Sequence, residues 1–213
     1  MKLYHYVHCP FCVRVRMALG LLNIKYESVV LPYDDEKTPI DLMGKKMLPI
    51  MSFEDGFTSN ESLIIIEKLD VSNLLDIEKV KEDSFKDFEN LLNKIGGDVH
   101  SLCMPYWVWT PEFNDSSREY FTKKKEVKRG PFKNLIKEKD KFLASLSITL
   151  SEIEKDIDEF YKSESLTILD ICLASHLWGM FIFPEFQFSD KIYDYLMRVK
   201  EKTNFDYHQD FWQ

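Results

Sequence analysis

The chain has 213 residues, of which 45% are hydrophobic, so it is long enough to bury one large core or two small ones. Its 36 acidic residues outnumber its 28 basic residues, and the net charge of −8 argues against general nucleic-acid binding. Apolar runs such as 63–66 are short, so no segment is expected to span a membrane. Residues 1–4 lack the charged and apolar regions of a signal peptide, which predicts a cytoplasmic protein.

The first third of the chain alternates between strand and helix patterns. The predicted strands are 3–7, 26–31, 48–53 and 57–58, and the predicted helices are 10–22, a short one between the acidic residues 34–36 and Gly44, and 61–69. A helix joins the first two strands, so they should be parallel in a right-handed unit. Asp55-Gly56 between two apolar runs indicates a hairpin. We therefore predict an α/β domain of order βαβ-α-ββα, with a four-stranded mixed sheet, over residues 1–71.

The rest of the chain has helical periodicity after a polar segment. Residues 72–79 are mixed and polar and are predicted to form a linker. Beyond them, apolar residues recur at steps of three and four, as in Phe85, Phe88, Leu91, Leu92 and Ile95. This pattern predicts an all-helical domain over residues 80–213. Four prolines are expected to break its helices: Pro105, Pro111, Pro131 and Pro184.

A pair of cysteines, in Cys9-Pro10-Phe11-Cys12, directly follows the first predicted strand. The N-terminus of a helix carries free N–H groups and a partial positive charge, which favour a thiolate at Cys9. Pro10 suits a first helical position, and Cys12 lies one turn further on, within reach of a disulfide with Cys9. Half of a zinc site or two inert core thiols are the alternatives. With no second C-x-x-C or pair of histidines in the sequence to complete a zinc site, we favour a redox-active dithiol with Cys9 the more exposed and more acidic thiol.

A proline opens the third predicted strand, in Leu48-Pro49. Proline within a sheet is confined to edges, strand starts and special turns. A cis bond at Pro49 would turn the backbone N–H and C=O of Leu48 toward the dithiol, where they can pair with an extended peptide-like ligand. The alternative is an ordinary trans proline that opens an edge strand.

Glu61-Ser62 stands at the start of the helix after the predicted hairpin. The serine hydroxyl and the helix N-terminus form an anion site, and the Glu61 carboxylate can hold an ammonium. An α-amino acid head group carries both charges, so the pair suits the γ-glutamyl end of glutathione. The alternative is a plain helix start with Asn60 as its N-cap.

These motifs resemble the glutaredoxins that have a glutathione-transferase fold, most closely the long bacterial glutaredoxin 2 type. The similarity covers the whole chain and includes further matching segments: 1–4 with Tyr6 and His8, Met43-Gly44, Lys46, Tyr120-Phe121 and 124–126. Thr167-Ile168-Leu169-Asp170 resembles the capping box that supports folding of glutathione-transferase-like proteins. The sequence departs from the usual Cys-Pro-Tyr-Cys by Phe11, which removes one hydroxyl and leaves both sulfurs.

The resemblance implies a thioredoxin-like domain followed by an all-α domain, and a glutathione-dependent thiol–disulfide oxidoreductase without a metal. Its catalytic residues would be Cys9 and Cys12. Cys9 would attack a protein–glutathione mixed disulfide, and a second glutathione or Cys12 would resolve the adduct. The residues expected to bind glutathione are Cys9, Phe11, Leu48, Pro49, Glu61 and Ser62. Expected partners are glutathione and glutathionylated or disulfide-containing proteins, and a monomer is expected.

Two other functions stay open at this point. An omega-like glutathione transferase or dehydroascorbate reductase often keeps one cysteine, so Cys12 argues against it. A glutathione-transferase-fold binding protein without activity would not be expected to retain Cys9, Pro49, Glu61 and Ser62 together.

Several residues outside these motifs receive simpler interpretations. Cys103 and Cys172 are expected to be core thiols, and His176 and Trp178 to be core side chains. His8 is expected to be a turn residue, with tuning of Cys9 as the alternative. The basic residues Lys123–Lys125, Lys128 and Arg129 are expected on a solvated helix face, with contact to an acidic partner as the alternative. The tail Tyr207–Gln213 matches no motif.

Overall fold

A computed structural model describes residues 1–206, so the tail Tyr207–Gln213 lies outside the described residues. The strands are β1 Lys2–His5, β2 Glu27–Val30, β3 Ile50–Ser52 and β4 Thr58–Ser59. The helices are α1 Pro10–Leu21, α2 Lys37–Met43, α3 Ser62–Leu69, α4 Ser84–Trp107, α5 Asp115–Arg129, α6 Phe132–Lys137, α7 Lys139–Lys155, α8 Ile168–Leu177 and α9 Asp190–Thr203. Short 3-10 helices span Ile77–Lys81 and Trp178–Ile182. The predicted order βαβ-α-ββα followed by helices is confirmed.

The four strands form one mixed sheet in the order β2-β1-β3-β4. β1 is parallel to β2 and β3 is antiparallel to β4, as predicted, and β1 is also antiparallel to β3. The first three strands are shorter than the apolar runs that predicted them. β3 begins at Ile50 rather than at 48 because Pro49 has no N–H to donate to a neighbouring strand.

Helix α1 lies at the centre of the molecule. It packs against α3 of the same α/β domain and against α8 and α9 of the helical domain. Its side chains Val13, Val15, Met17 and Leu19 are fully buried. Because α1 is covered by both domains, the residues at its N-terminus are held at the interface between them.

The start of α8 confirms the predicted capping box. Thr167 caps the helix, and the side chain of Asp170 accepts a hydrogen bond from the Thr167 N–H at 2.8 Å. Asp170 is fully buried and also accepts from the Tyr161 N–H at 2.8 Å and the Tyr195 hydroxyl at 2.9 Å. One carboxylate therefore joins three segments of the helical domain.

One expectation about chain breaks needs correction. Pro105 lies inside α4, two residues before its end at Trp107, so the predicted break there is wrong. Its ring is tolerated because only the last turn of the helix follows it. The other three prolines do lie outside the α-helices. Residues 72–79, predicted to be a linker, include the start of the 3-10 helix Ile77–Lys81.

Candidate active site

Cys9 is the N-cap residue of α1 and is partly exposed. Its carbonyl accepts from the Val13 N–H at 2.9 Å, so its own backbone opens the helix. The pKa of Cys9 is lowered to about 7, first because the Cys12 thiol donates a hydrogen bond to it, and then because the N–H groups of Cys12 and Phe11 and the Lys125 charge favour the thiolate. Cys9 is thus about half ionised at neutral pH.

Cys12 has the opposite environment. Its side chain is fully buried, and its sulfur accepts from the Tyr6 N–H at 3.4 Å. Burial and the neighbouring Cys9 raise the pKa of Cys12 well above its ordinary value. The sequence-based expectation that Cys9 is the more exposed and more acidic thiol is confirmed. The pair combines a more acidic thiol that opens to solvent with a protonated thiol beneath it.

The peptide bond between Leu48 and Pro49 is cis, as predicted. The Leu48 carbonyl oxygen lies 3.9 Å from the Cys9 sulfur. Both Leu48 and Pro49 have buried side chains. A backbone acceptor therefore stands beside the Cys9 sulfur.

Glu61 and Ser62 stand at the N-terminus of α3. Glu61, not Asn60, is the N-cap residue, so the alternative assignment of Asn60 as the cap is wrong. The Ser59 hydroxyl accepts from the backbone N–H of Glu61 at 3.2 Å. The Glu61 carboxylate is exposed and lies 3.7 Å from the Lys45 ammonium. Ser62 is 7% exposed. This corner can hold an ammonium at Glu61 and an anion at the helix N-terminus.

Phe11 is 48% exposed at the edge of the site. The Arg14 guanidinium lies 4.9 Å from its ring centroid, and His176 of the helical domain meets the ring edge-on at 6.2 Å. Arg14 itself is only 4% exposed. His176 and Trp178 are buried, as predicted. Phe11 therefore contacts the helical domain as well as solvent.

His8 is a domain contact that the sequence did not predict. It is 3% exposed, and its Nε2 lies 2.8 Å from the Thr110 hydroxyl and 3.6 Å from the Glu112 carboxylate. The Thr110 hydroxyl donates to the Trp107 carbonyl at 2.8 Å, so it accepts from Nε2–H of His8. Burial lowers the pKa of His8, and its hydrogen bond lowers the pKa of Glu112 to about 2. A neutral His8 thus donates from Nε2 to the Thr110 hydroxyl, with the Glu112 carboxylate 3.6 Å away.

The basic residues of α5 do not share one environment. Lys123, Lys124 and Lys128 are exposed, as expected of a solvated face. Arg129 instead donates to the Gly97 carbonyl at 2.9 Å and is partly buried, as is Lys125. The single interpretation of this run as a solvated face is therefore wrong for Lys125 and Arg129.

Comparisons with known proteins agree with this geometry. The family model "Glutaredoxin 2, C terminal domain" matches residues 80–211, and "Glutathione S-transferase, N-terminal domain" matches residues 8–72. Glutaredoxin 2 of Escherichia coli strain K12 is 35% identical over 161 residues, which cover 73% of each chain. The chain belongs to the glutaredoxin 2 family. The family resemblance inferred from the cysteine, proline and Glu-Ser motifs is thereby confirmed.

Solved structures extend this family assignment to the fold. A crystal structure of glutaredoxin 2 from Salmonella typhimurium in complex with glutathione has a TM-score of 0.85 and 30% identity, covering 98% of this chain and 97% of that one. Glutathione transferase GSTFuA3 from Phanerochaete chrysosporium has a TM-score of 0.80 at 15% identity, covering 96% and 97% of the two chains. The second match shows the fold alone. The predicted thioredoxin-like domain with a glutathione-transferase-like helical domain is confirmed.

Within residues 1–206 no group of three or more His, Cys, Asp or Glu side chains is placed to hold a metal ion. Across the same residues, none of the helices combines the length and apolarity needed to cross a membrane. Cys103 and Cys172 are fully buried free thiols, as predicted, and burial raises the pKa of both.

Proposed function

We propose that the chain, a glutathione-dependent thiol oxidoreductase of the glutaredoxin 2 family, reduces protein–glutathione mixed disulfides and protein disulfides through Cys9 and Cys12. The Cys9 thiolate attacks the glutathione sulfur of the mixed disulfide, and the protein thiolate leaves and takes up a proton. A glutathione thiolate then attacks the glutathione sulfur bound to Cys9. This releases oxidised glutathione and returns Cys9 as a thiolate, so each turnover consumes one free glutathione thiol and frees one protein thiol.

The observation that carries this proposal is the contrast between the two thiols. Cys9 is partly exposed with its pKa lowered to about 7, while Cys12 is fully buried with its pKa raised. A thiol whose pKa lies near the ambient pH combines a large thiolate fraction with high nucleophilicity. The Cys12 thiol donates the hydrogen bond that stabilises the Cys9 thiolate when it leaves. Cys12 can also close a disulfide with Cys9 when the substrate is a protein disulfide.

We assign the glutathione-binding residues to the walls around Cys9. The backbone of Leu48 before Pro49 would pair with the extended tripeptide, since its carbonyl oxygen lies 3.9 Å from the Cys9 sulfur. Glu61 and Ser62 would hold the ammonium and carboxylate of the γ-glutamyl group. Phe11, exposed at the edge, would cover the bound sulfur. The Salmonella typhimurium relative that binds glutathione supports this assignment.

The experiment that tests the function is glutathione-dependent reduction of a small glutathione mixed disulfide, coupled to glutathione reductase. We expect turnover that saturates with glutathione. Absence of turnover by folded protein would contradict the proposal and would favour a binding protein without activity. An omega-like transferase or dehydroascorbate reductase is less favoured, because the chain belongs to the glutaredoxin 2 family and retains Cys12.

Cys12→Ser is expected to separate the two activities. Reduction of the small mixed disulfide should persist within about threefold of wild type, because a second glutathione resolves the Cys9 adduct. Reduction of a protein disulfide should fall by at least about tenfold, because the resolving thiol is missing. The first activity is read from the coupled assay and the second from thiol release by an oxidised protein. Equal loss of both activities would contradict a resolving role for Cys12.

Glu61→Ala combined with Ser62→Ala is expected to raise the KM for glutathione by about tenfold, with a smaller change in kcat. The pair would bind the head group, which is remote from the sulfur that reacts. Glu67→Ala is the matched control, because Glu67 is an exposed carboxylate on the same helix that pairs with Lys81 at 3.1 Å. A KM that is unchanged in the double variant would place the head group elsewhere.

The finer properties of the chain belong to the same proposal. We propose that residues 1–71 form the thioredoxin-like domain, 72–79 the linker and 80–213 the helical domain. We also propose that the protein acts as a monomer in the cytoplasm, on glutathionylated or disulfide-containing proteins. Glutathione, kept reduced in that compartment, would supply the electrons.

A further inference from the structure

The exposed side of the second half of α5 is basic. Helix α5 contains six basic and three acidic residues, although the whole chain has a net charge of −8. Lys123, Lys124 and Lys128 are exposed, and Val127 beside them is 85% exposed. Within residues 1–206, none of these three ammonium groups lies within 4.0 Å of a carboxylate. These four residues are called the basic face of α5 below.

The stability of α5 does not account for this charge. Like charges four residues apart, such as Lys124 and Lys128, repel each other along a helix. The negative end of the helix dipole favours cations in the last turn, which accounts for Lys128 but not for Lys123 or Lys124. Glu119 precedes Lys123 by four residues and is exposed, but the two side chains are not paired within 4.0 Å. The three cations are therefore available to a partner.

Two other acidic residues near the basic face already have partners. Glu126 is partly buried, and its carboxylate accepts from the Phe132 N–H at 2.7 Å. Glu36 of the first domain accepts from the Tyr120 hydroxyl and lies 3.9 Å from the Lys46 ammonium. Neither carboxylate neutralises the lysines of the basic face.

The basic face borders the active site. The Lys124 ammonium lies 5.3 Å from the centroid of the Tyr120 ring, and the Lys46 ammonium lies 4.0 Å from the same centroid. Lys46 precedes Leu48 by two residues in the chain. The Leu48 carbonyl oxygen in turn lies 3.9 Å from the Cys9 sulfur. A protein that presents a disulfide to Cys9 therefore has the basic face next to it.

We propose that the basic face of α5 docks an acidic segment of the protein substrate, so that the preferred substrates carry Asp and Glu near the cysteine whose disulfide is reduced. The inference rests on the proposed function, in which Cys9 attacks that disulfide. Opposite charges guide the encounter of two surfaces and fix their orientation. An apolar side chain among cations, as Val127 is, matches the mixture of apolar and charged groups at protein interfaces.

The experiment compares synthetic peptides of equal length that carry one glutathionylated cysteine flanked by Asp and Glu, by Asn and Gln, or by Lys. The kcat/KM for glutathione-dependent reduction is measured at low salt. For the wild-type protein we expect the acidic peptide to exceed the neutral one by about fivefold and the lysine peptide to fall below it. Lys123→Glu with Lys124→Glu should bring the ratio of acidic to neutral peptide to about one or below. Added salt should lower the wild-type ratio, because screening weakens the attraction.

Lys155→Glu with Lys191→Glu is the matched control. It reverses two exposed lysines, on α7 and α9, and changes the net charge by the same amount. It should retain the wild-type ratio. Lys123→Gln with Lys124→Gln should give an intermediate ratio and replaces the reversed variant if that protein does not fold. A wild-type ratio near one, or an equal fall in the control, would overturn the inference.

Failure of the proposed function gives a different result, because none of the peptides would then be turned over. Fluorescence anisotropy of the labelled peptides still tests the basic face in that case. Tighter binding of the acidic peptide by wild type than by Lys123→Glu with Lys124→Glu would support the inference, and equal binding would overturn it. Sedimentation with phosphatidylglycerol vesicles that the same variant abolishes, without preference among the peptides, would assign the face to a membrane and also overturn it.

Discussion

Cys9→Ser is expected to lower glutathione-dependent turnover by at least about a thousandfold, to the rate of the uncatalysed reaction. The reaction requires a sulfur anion, and a serine hydroxyl in the same place is not ionised at neutral pH. The lowered pKa of Cys9 shows that this position favours an anion, but serine is too weak an acid to use it. The coupled reduction of a small mixed disulfide measures the loss.

Cys12→Ser is the matched control for Cys9→Ser, because it makes the same atomic change three residues away in the same helix. It should keep most of the activity on the small mixed disulfide. A Cys9→Ser protein with more than about a tenth of wild-type activity would contradict the assignment of Cys9 as the nucleophile. Thermal unfolding of both variants verifies that neither change acts through stability.

Asp170→Ala is expected to lower the free energy of unfolding by about 3 to 5 kcal/mol, the largest effect on stability that we expect from a single side chain. The fully buried carboxylate accepts from the Tyr161 and Thr167 N–H groups and from the Tyr195 hydroxyl. Its removal takes this acceptor away from all three buried donors. Denaturant unfolding followed by circular dichroism gives the difference.

Asp170→Asn tests whether stability depends on the hydrogen-bond acceptors of Asp170 or on the space that its side chain fills. An amide of nearly the same size keeps one oxygen but directs an NH2 group at a donor, so we expect a loss nearly as large. Asn114→Ala, which removes the exposed N-cap of α5, should cost only about 1 kcal/mol. Full stability of Asp170→Asn, or a loss in Asp170→Ala no greater than in Asn114→Ala, would contradict this account.

The fold was predictable where short-range chemistry determines it. The alternation of apolar runs and helical repeats identified the sheet and the helical domain, and the Thr167-to-Asp170 spacing identified a cap that the structure contains. Predictions failed where the tertiary environment outweighs a local rule. Pro105 does not end α4, since a proline so near the end of a helix disturbs only its last turn.

The site residues of the thioredoxin-like domain were predictable from the sequence, and the contacts that the helical domain makes with them were not. Cys9, Cys12 and the cis bond at Pro49 follow from motifs within a few residues. The partners of His8, in contrast, lie about a hundred residues further along the chain, at Thr110 and Glu112. Nothing within the local sequence distinguishes Lys125 from Lys124, because only the packing of α5 against the first domain buries one and exposes the other.

The central position of α1 makes the active site a property of the whole molecule. The helix that carries both thiols is covered on one side by α3 and on the other by α8 and α9. Neither domain can open without uncovering the apolar residues that it shares with the other, so the two unfold as one cooperative unit. We therefore expect the backbone amides of α1 to exchange with solvent hydrogen through global unfolding, and we expect loss of the helical domain to inactivate the dithiol without any change to its residues.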